Sequence, residues 1–187
     1  DSPELAQFGP PADPEHRWFG FYRGTVAFVT RRESGISVPR VWSDLLRTDG
    51  PDLHVALANP ATSGTALAVL TSLVTLMGED AAFRYLAAVD RRVIEHPSAG
   101  AAVIHLVSEG IANVGIALDH DVAREMRRGE PLAISYPADG AAAEVGGVGI
   151  LRDAPEPEAA RRFVDRLLSR EFQEALASSD VVLFEPL

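Results

Sequence analysis

The stretch from Leu53 to Gly78 reads LHVALANPATSGTALAVLTSLVTLMG, and it predicts a strand, a turn and a helix in direct succession. Leu53–Ala58 is a short apolar run that ends at Asn59 and Pro60, a pair that stops a strand. Beyond the turn, apolar residues recur three or four positions apart, as one face of a helix requires, up to a glycine suited to a helix end. These residues are Leu67, Leu70, Val74, Met77 and Gly78.

The same alternation of strands and helices extends to both sides of this stretch. Further strands are predicted at Trp18–Thr30, Asn113–Leu118, Leu132–Tyr136 and Glu144–Leu151. Helices are predicted at Ser43–Arg47, Glu79–Val93, Ala99–Glu109, Asp119–Arg128, Glu158–Leu168 and Arg170–Ser178, with Ser43 as a cap. We expect the Glu158–Leu168 helix to turn Phe163, Leu167 and Leu168 inward. Such alternation indicates an α/β fold, in which helices pack on a layered sheet.

Charge and composition exclude several classes of function. The chain has 187 residues, with 27 Asp and Glu against 17 Lys and Arg, so its formal net charge is −10. This charge disfavours nucleic acid and anionic membranes as partners, because both attract Lys and Arg. Without cysteine, the chain forms no disulfide and no Cys-ligated zinc site. No apolar run approaches the ~20 residues of a membrane span, and the length predicts one domain or two small ones.

A candidate anion site stands where the first strand leads into its helix, at Thr62, Ser63, Gly64 and Thr65. The start of a helix presents unpaired N–H groups and the positive end of the helix dipole, and the hydroxyls could add donors. Phosphate, phosphonate or carboxylate would suit such a place, although the P-loop pattern is absent. The alternative is ordinary capping of the helix by Thr62 or Ser63, without a ligand.

A second candidate lies at another strand-to-helix turn, where Asp119, His120 and Asp121 follow Leu118. Ligands of open α/β sheets collect outside the carboxyl ends of the strands. His120 and Asp121 could therefore contact a polar ligand, or a metal, although a single histidine without HExxH spacing is a weak metal signal. The alternative is a helix that Asp119 caps, with Asp121 in its acidic first turn.

Glu144 is a third candidate, because it opens the otherwise apolar, glycine-rich run EVGGVGIL. It is either a ligand contact or the solvated end of a strand. The glycines of this run are expected to serve packing or a hinge, since the nucleotide-binding pattern GxGxxG is absent. No GxSxG elbow predicts a catalytic nucleophile either.

Several longer runs of the chain together resemble one family. They are VPRVWSDLL, ANPATSGTALAVLTSLVTLMGEDAAFRYL, GIANVGIALDHD and EVGGVGILRDAPEPEAARRFVDRLLSREFQEAL. Over about residues 17–185, the sequence is similar to bacterial ABC-transporter solute-binding proteins, in the branch that binds ferric iron or phosphorylated compounds. The most specific parts are NPATSGTA, the helix start GED and the PEAARRFVD tail.

The resemblance implies a periplasmic-binding-protein fold of type II, in which two α/β lobes are joined by crossing strands and close on a solute. It implies three segments: 1–30, a linker and first hinge crossover; 31–143, the second lobe, a mixed sheet flanked by helices; and 144–187, the return crossover and C-terminal helices. Family members are longer, so we expect a fragment that lacks the N-terminal part of the first lobe. Its exposed lobe face could then pair two copies into a dimer.

The resemblance also implies a role in import. Members of the family deliver their solute to an ABC permease in the membrane and catalyse nothing, so we expect no catalytic residue, no cofactor and no resident metal. The expected location is periplasmic or extracellular, with or without a lipid anchor.

The resemblance assigns ligand contacts as well. Ferric-binding members use two adjacent tyrosines where this chain has Asp119-His120-Asp121, so ferric iron held in that way is disfavoured. Hexose-phosphate members set a His-Asp pair and a later Glu against sugar hydroxyls, which His120, Asp121 and Glu144 match. Their Ser/Thr/Gly phosphate loop is matched by Thr62–Thr65. A hexose phosphate is the favoured ligand, 2-aminoethylphosphonate is next because the carboxylates could hold its ammonium group, and ferric iron is third.

Two other classes of function stay open. A metal-assisted hydrolase would use His120, Asp121 and Glu144, but it needs more ligands than these three residues supply. A sensor or interaction domain could have kept a single lobe of a binding protein. The position of the start codon and the presence of a first lobe would separate this class from transport.

Overall fold

The computed structural model describes residues 13, 15, 17–48 and 50–178. Its strands are β1 (Trp18–Arg31), β2 (Val55–Leu57), β3 (Val93–Glu95), β4 (Val114–Leu118), β5 (Leu132–Ser135) and β6 (Ala143–Gly149). Its α-helices are α1 (Gly64–Met77), α2 (Glu79–Asp90), α3 (Gly100–Ser108), α4 (Asp119–Arg127), α5 (Pro157–Leu168) and α6 (Arg170–Ser178). A short 3-10 helix covers Trp42–Leu46. Strands and helices alternate, which confirms the predicted α/β class. Among the described residues, no helix is long and apolar enough to span a membrane.

The chain divides into two compact units. The described residues of Thr25–Ala143 form the central unit, while those before Thr25 and those from Glu144 to Ser178 form the flanking unit. The flanking unit contains α5, α6 and most of β6, which pairs with β1. A Cβ added at Gly146 of β6 would lie 1.7 Å from a ring carbon of Tyr22, so this glycine allows a close packing contact.

The sheet of the central unit is mixed, and its strand order is β3-β2-β4-β1-β5. β2 is parallel to β3 and to β4, whereas β1 is antiparallel to β4 and β5. The carboxyl ends of β2, β3 and β4 therefore lie along one edge of the sheet, which we call the carboxyl edge. α1, α3 and α4 each follow one of these strands, so all three helices begin at the carboxyl edge. β1 starts its pairing there too, since its Val26 lies opposite Leu118.

Helices cover both faces of this sheet. Alternate residues of β4 point to opposite faces, so Ile116 and Leu118 join the core below α1 and α2, while Ala117 joins the core below α3 and α4. The same alternation sends Leu57 of β2 to the first core and Ala58 to the second. The central unit is thus a three-layer sandwich with an apolar core on each face.

The segment before β6 is anchored by the 3-10 helix. Trp42 donates its backbone N–H to the Asp139 carboxylate, at 3.1 and 3.2 Å, and its ring Nε1–H to the carbonyl of Gly140 at 2.8 Å. The Tyr85 hydroxyl donates to the Trp42 carbonyl. Burial, with Asp139 and Asp44 nearby, raises the pKa of Tyr85. These bonds fix the chain just after β5.

Two of the predicted helices differ from the structure. The helix predicted over Glu79–Val93 ends at Asp90, and Val93 is instead the first residue of β3. Val89 and Val93 have the spacing of a helix, but β3 needs only three residues to pair with β2. The prediction that Phe163 points inward is wrong, because this side chain is 63% exposed. The buried stripe of α5 runs through Val164, Leu167 and Leu168, three or four positions apart, and Phe163 lies beside it.

Two predicted caps are also replaced. Val41 precedes the 3-10 helix, in place of Ser43. Leu118 precedes α4, so Asp119 is the first helical residue and its side chain does not cap the helix. Gly78, by contrast, ends α1 as predicted.

Candidate functional site

The turn between β2 and α1 is held together by hydrogen bonds of its backbone and its side chains. The Asn59 carbonyl accepts the backbone N–H of Thr62 at 3.1 Å and that of Ser63 at 2.9 Å. The Thr62 hydroxyl donates to the Ser98 carbonyl at 3.0 Å, which ties this turn to the one before α3. Ser63 is the cap of α1, and its Oγ accepts the N–H of Ala66 at 3.4 Å. Both residues thus have local bonds, although the Ser63 hydroxyl keeps its own proton to donate.

Donors for a ligand remain one step further along, at Gly64 and Thr65. Their backbone N–H groups make no hydrogen bond to any residue that the structure describes, as is usual for the first turn of a helix. Gly64 is exposed, and a Cβ added to it would meet nothing within 4 Å. The first turn of α1 holds no acidic residue. The positive end of the helix dipole therefore faces open space with free donors, which suits an anion.

A neighbouring turn, residues 96–99, supports this one from the side of β3. Asn59 donates its N–H to the Pro97 carbonyl at 2.9 Å. His96 lies between the Leu57 carbonyl, at 2.9 Å from Nδ1, and Asp90, at 2.8 Å from Nε2. These bonds fix the end of β2 and hold the start of α1 beside that of α3.

Asp119, at the start of α4, is the most heavily bonded carboxylate of the carboxyl edge. Its Oδ1 accepts the N–H of Thr25 at 2.9 Å and that of His120 at 2.8 Å. Its Oδ2 accepts the Tyr136 hydroxyl at 3.2 Å. Asp119 thus joins α4, β1 and the end of β5, and it sets the position of the two residues that follow it.

His120 and Asp121 lie in the first turn of α4, with side chains 14% and 21% exposed. His120 is 3.8 Å from Asp119, between Nδ1 and Oδ1, and 3.9 Å from Asp121, between Nε2 and Oδ2. Asp121 pairs with Arg124 at 3.0 Å. Partly accessible carboxylate and imidazole groups at this place can accept hydrogen bonds from the hydroxyls of a ligand or hold an ammonium group.

The structure brings two of the predicted groups together at the carboxyl edge. Thr62–Thr65 follow β2, and His120 with Asp121 follows β4, the strand next to it in the sheet. Glu144, the second residue of β6, is half-buried and belongs to the flanking unit. Among the described residues, no group of three or more Asp, Glu or His could hold a metal ion.

Sequence reasoning missed the roles of Asp119 and Tyr136. The position of Asp119 directly after a strand was visible, but a helix cap explained it equally well. Its bond to Thr25 joins residues 94 positions apart in the chain, which no local pattern could indicate. Tyr136 counted as the end of a predicted strand, and nothing in the sequence paired its hydroxyl with Asp119.

Comparisons with known proteins give a consistent result. The family model for bacterial extracellular solute-binding proteins matches residues 15–179. A Haemophilus influenzae protein, named only as an uncharacterized protein, is 36% identical over 178 residues, which is 91% of this chain and 51% of that protein. The chain therefore spans about half the length of this relative.

Solved structures of periplasmic binding proteins share the fold. The periplasmic binding protein AfuA from Actinobacillus pleuropneumoniae, with exogenous fructose-6-phosphate bound, matches with 30% identity and a TM-score of 0.87. The match covers 99% of this chain and 61% of that one. The periplasmic binding protein P5PA matches at 27% identity and a TM-score of 0.85, with the same coverage. Iron-bound HitA from Pseudomonas aeruginosa, at 20% identity, 99% and 61% coverage and a TM-score of 0.79, shows the fold alone. The predicted periplasmic-binding-protein fold is confirmed.

Proposed function

Because the chain belongs to the bacterial extracellular solute-binding protein family, we propose that it is a ligand-binding part of an ABC importer for a small phosphorylated compound. A hexose phosphate is the ligand that we favour. The family is one of solute-binding proteins, which agrees with the expectation that the chain is not an enzyme. It also supports a location outside the cytoplasm, while a lipid anchor stays a prediction.

The observation that carries this proposal is the pair of unlike helix starts at the carboxyl edge. α1 begins without acidic residues and keeps free N–H donors at Gly64 and Thr65, whereas α4 begins with Asp119 and Asp121. A ligand with an anionic group at one end and hydroxyls at the other matches the chemistry of both starts. A sugar phosphate has this form.

In this proposal Thr62, Ser63, Gly64 and Thr65 form the phosphate side of the site. Gly64 and Thr65 supply the backbone donors, Ser63 and Thr65 add hydroxyls, and Thr62 keeps the loop in shape through its bond to Ser98. His120 and Asp121 contact the sugar hydroxyls, and Glu144 of the flanking unit stays a predicted contact. The net charge of −10 does not oppose this arrangement, because a single phosphate is held by local N–H dipoles.

A relative supports the choice of ligand. AfuA, whose structure holds exogenous fructose-6-phosphate, shares 30% identity over 99% of this chain. We propose that the whole protein binds its ligand by cleft closure and hands it to an ABC permease. 2-Aminoethylphosphonate is the second candidate, because Asp121 could hold its ammonium group while the start of α1 holds the phosphonate.

Thermal unfolding tests the proposal directly. A ligand that binds the folded state alone raises the melting temperature, because it adds RT ln(1 + [L]/Kd) to the free energy of unfolding. We expect fructose 6-phosphate to raise it clearly, and free fructose and inorganic phosphate to raise it much less. A larger shift with 2-aminoethylphosphonate would move the assignment to the phosphonate. A shift with ferric ion and none with any phosphorylated compound would overturn it.

A further inference from the structure

The first turns of α1 and α3 touch where Thr65 meets Gly100. Thr65 is the second residue of α1 and Gly100 is the first of α3, and both helices begin at the carboxyl edge after neighbouring parallel strands. A Cβ added to Gly100 would lie 2.5 Å from Oγ1, 3.0 Å from Cβ and 3.3 Å from Cγ2 of Thr65. Any side chain at position 100 would therefore displace Thr65 or push the two turns apart.

Thr65 is only 9% exposed, and its hydroxyl makes no hydrogen bond to any residue that the structure describes. The hydroxyl oxygen itself is not fully enclosed. It is therefore suited to a partner that binds from outside. Donors lie close to it: the N–H groups of Gly64 and Thr65, and the start of α3, which has no side-chain cap. Such donors attract an anion.

We propose that Gly100 is a positioning residue for the anion site, because the absence of a side chain at position 100 leaves room for the Thr65 hydroxyl. This inference rests on the proposed function and deepens it. The Thr65 hydroxyl stands between two helix starts and donates to an anion bound at α1. Donors on several sides favour a group with three terminal oxygens, a phosphate monoester or a phosphonate, over a carboxylate, which has only two.

The test compares four variants by calorimetric titration with fructose 6-phosphate and with inorganic phosphate. Gly100→Ala moves the hydroxyl, and Thr65→Val removes it while it keeps the shape of the side chain. We expect each substitution to lower the affinity for both anions about tenfold or more, which is the loss typical of one hydrogen bond to a charged group. Thr65→Ser keeps the hydroxyl and should bind nearly as well as the unsubstituted protein. Gly50→Ala is the matched control, since a Cβ there meets nothing within 4 Å.

A double variant separates a positioning role from a general loss of structure. If Gly100 acts through Thr65, then Gly100→Ala combined with Thr65→Val loses no more affinity than the worse single variant. Additive losses, or a Gly100→Ala affinity equal to that of Gly50→Ala, would overturn the inference and leave the proposed function intact. If Gly100→Ala does not fold, equal binding by Thr65→Val and Thr65→Ser would overturn it as well.

Two outcomes concern the proposed function. In the first, the unsubstituted protein binds inorganic phosphate as tightly as fructose 6-phosphate, and Gly100→Ala loses this binding. This result would support the positioning role of Gly100 and overturn the choice of a hexose phosphate as the ligand. If the unsubstituted protein binds neither anion, both the inference and the proposed function fail.

Discussion

The helices α1 and α4 start at the same edge of the same sheet, yet their first turns have opposite character. α1 begins with Ser63 as its cap, has no acidic residue in its first turn, and leaves the N–H groups of Gly64 and Thr65 free of bonds to the described residues. α4 begins after Leu118, has no side-chain cap, and carries Asp119 and Asp121 in its first turn.

This difference shows how one fold can offer two chemistries side by side. The dipole of a helix start attracts negative charge. In α4 the chain supplies that charge itself, so the start presents carboxylates to hydroxyls or ammonium groups. In α1 the charge is left for a ligand to supply. Which of the two chemistries a helix start offers therefore depends on two or three residues, and exchanging their character should exchange what binds.

The largest effect is expected when α1 is given the character of α4 by Gly64→Asp. The new carboxylate would occupy the open space above Gly64 and repel an anion at a distance of about 4 Å, where two unit charges interact by about 4 kcal/mol at an effective dielectric constant of 20. We expect affinity for fructose 6-phosphate to fall at least about hundredfold. Calorimetric titration measures this change.

Stability should move the other way in this variant. An aspartate in the first turn of a helix stabilises it by about 0.3–1 kcal/mol, so the melting temperature should hold or rise. Gly50→Asp adds the same charge at another open glycine and should leave affinity unchanged. Equal affinity in Gly64→Asp and Gly50→Asp would show that the anion does not bind at the start of α1.

The second effect concerns the two aspartates of α4, which differ in their bonds. Asp119→Ala removes the acceptor of two backbone N–H groups, those of Thr25 and His120, and of the Tyr136 hydroxyl. A donor left without a partner in a half-buried place costs about 1–3 kcal/mol, so the free energy of unfolding should fall by about 2 kcal/mol. Denaturant titration measures it. Asp121→Ala is the control, because its pair with Arg124 should contribute less than about 1 kcal/mol. Equal losses in both variants would contradict the structural role of Asp119.

The sequence was sufficient for the strands and helices of the central unit with the exception of β3. Long apolar patterns, such as that of α1, repeat often enough to define one period, and Gly78 marks its end without ambiguity. β3 escaped prediction because three residues are too few to show any period. The inward face of α5 was misjudged because Phe163 is apolar yet lies one position off the buried stripe, and tertiary packing selects that stripe.

The candidate site was predictable as a set of residues but not as a division of roles. A turn of small polar residues before a helix indicates an anion site, whichever of its members make the contacts. The Thr62 hydroxyl donates to the carbonyl of Ser98, a residue 36 positions away, so only the folded chain separates the role of Thr62 from that of Thr65. Nothing in the sequence indicated a role for Gly100, because its contact with Thr65 exists only in the folded chain.

The smallest effect is a selective one and tests whether the two helix starts serve different ends of one ligand. Asp121→Asn keeps the size of the side chain and removes its charge. A hydrogen bond to a charged acceptor is about twice as strong as one to a neutral acceptor, so affinity for fructose 6-phosphate should fall about tenfold. Inorganic phosphate has no sugar hydroxyls to place at α4, so its affinity should hold or rise slightly as a negative charge is lost. Asp52→Asn is the matched control, because it makes the same change in net charge near the amino end of β2, opposite the carboxyl edge. Equal losses for both anions would mean that α4 acts on the phosphate itself, and the division between the two helix starts would then have to be abandoned.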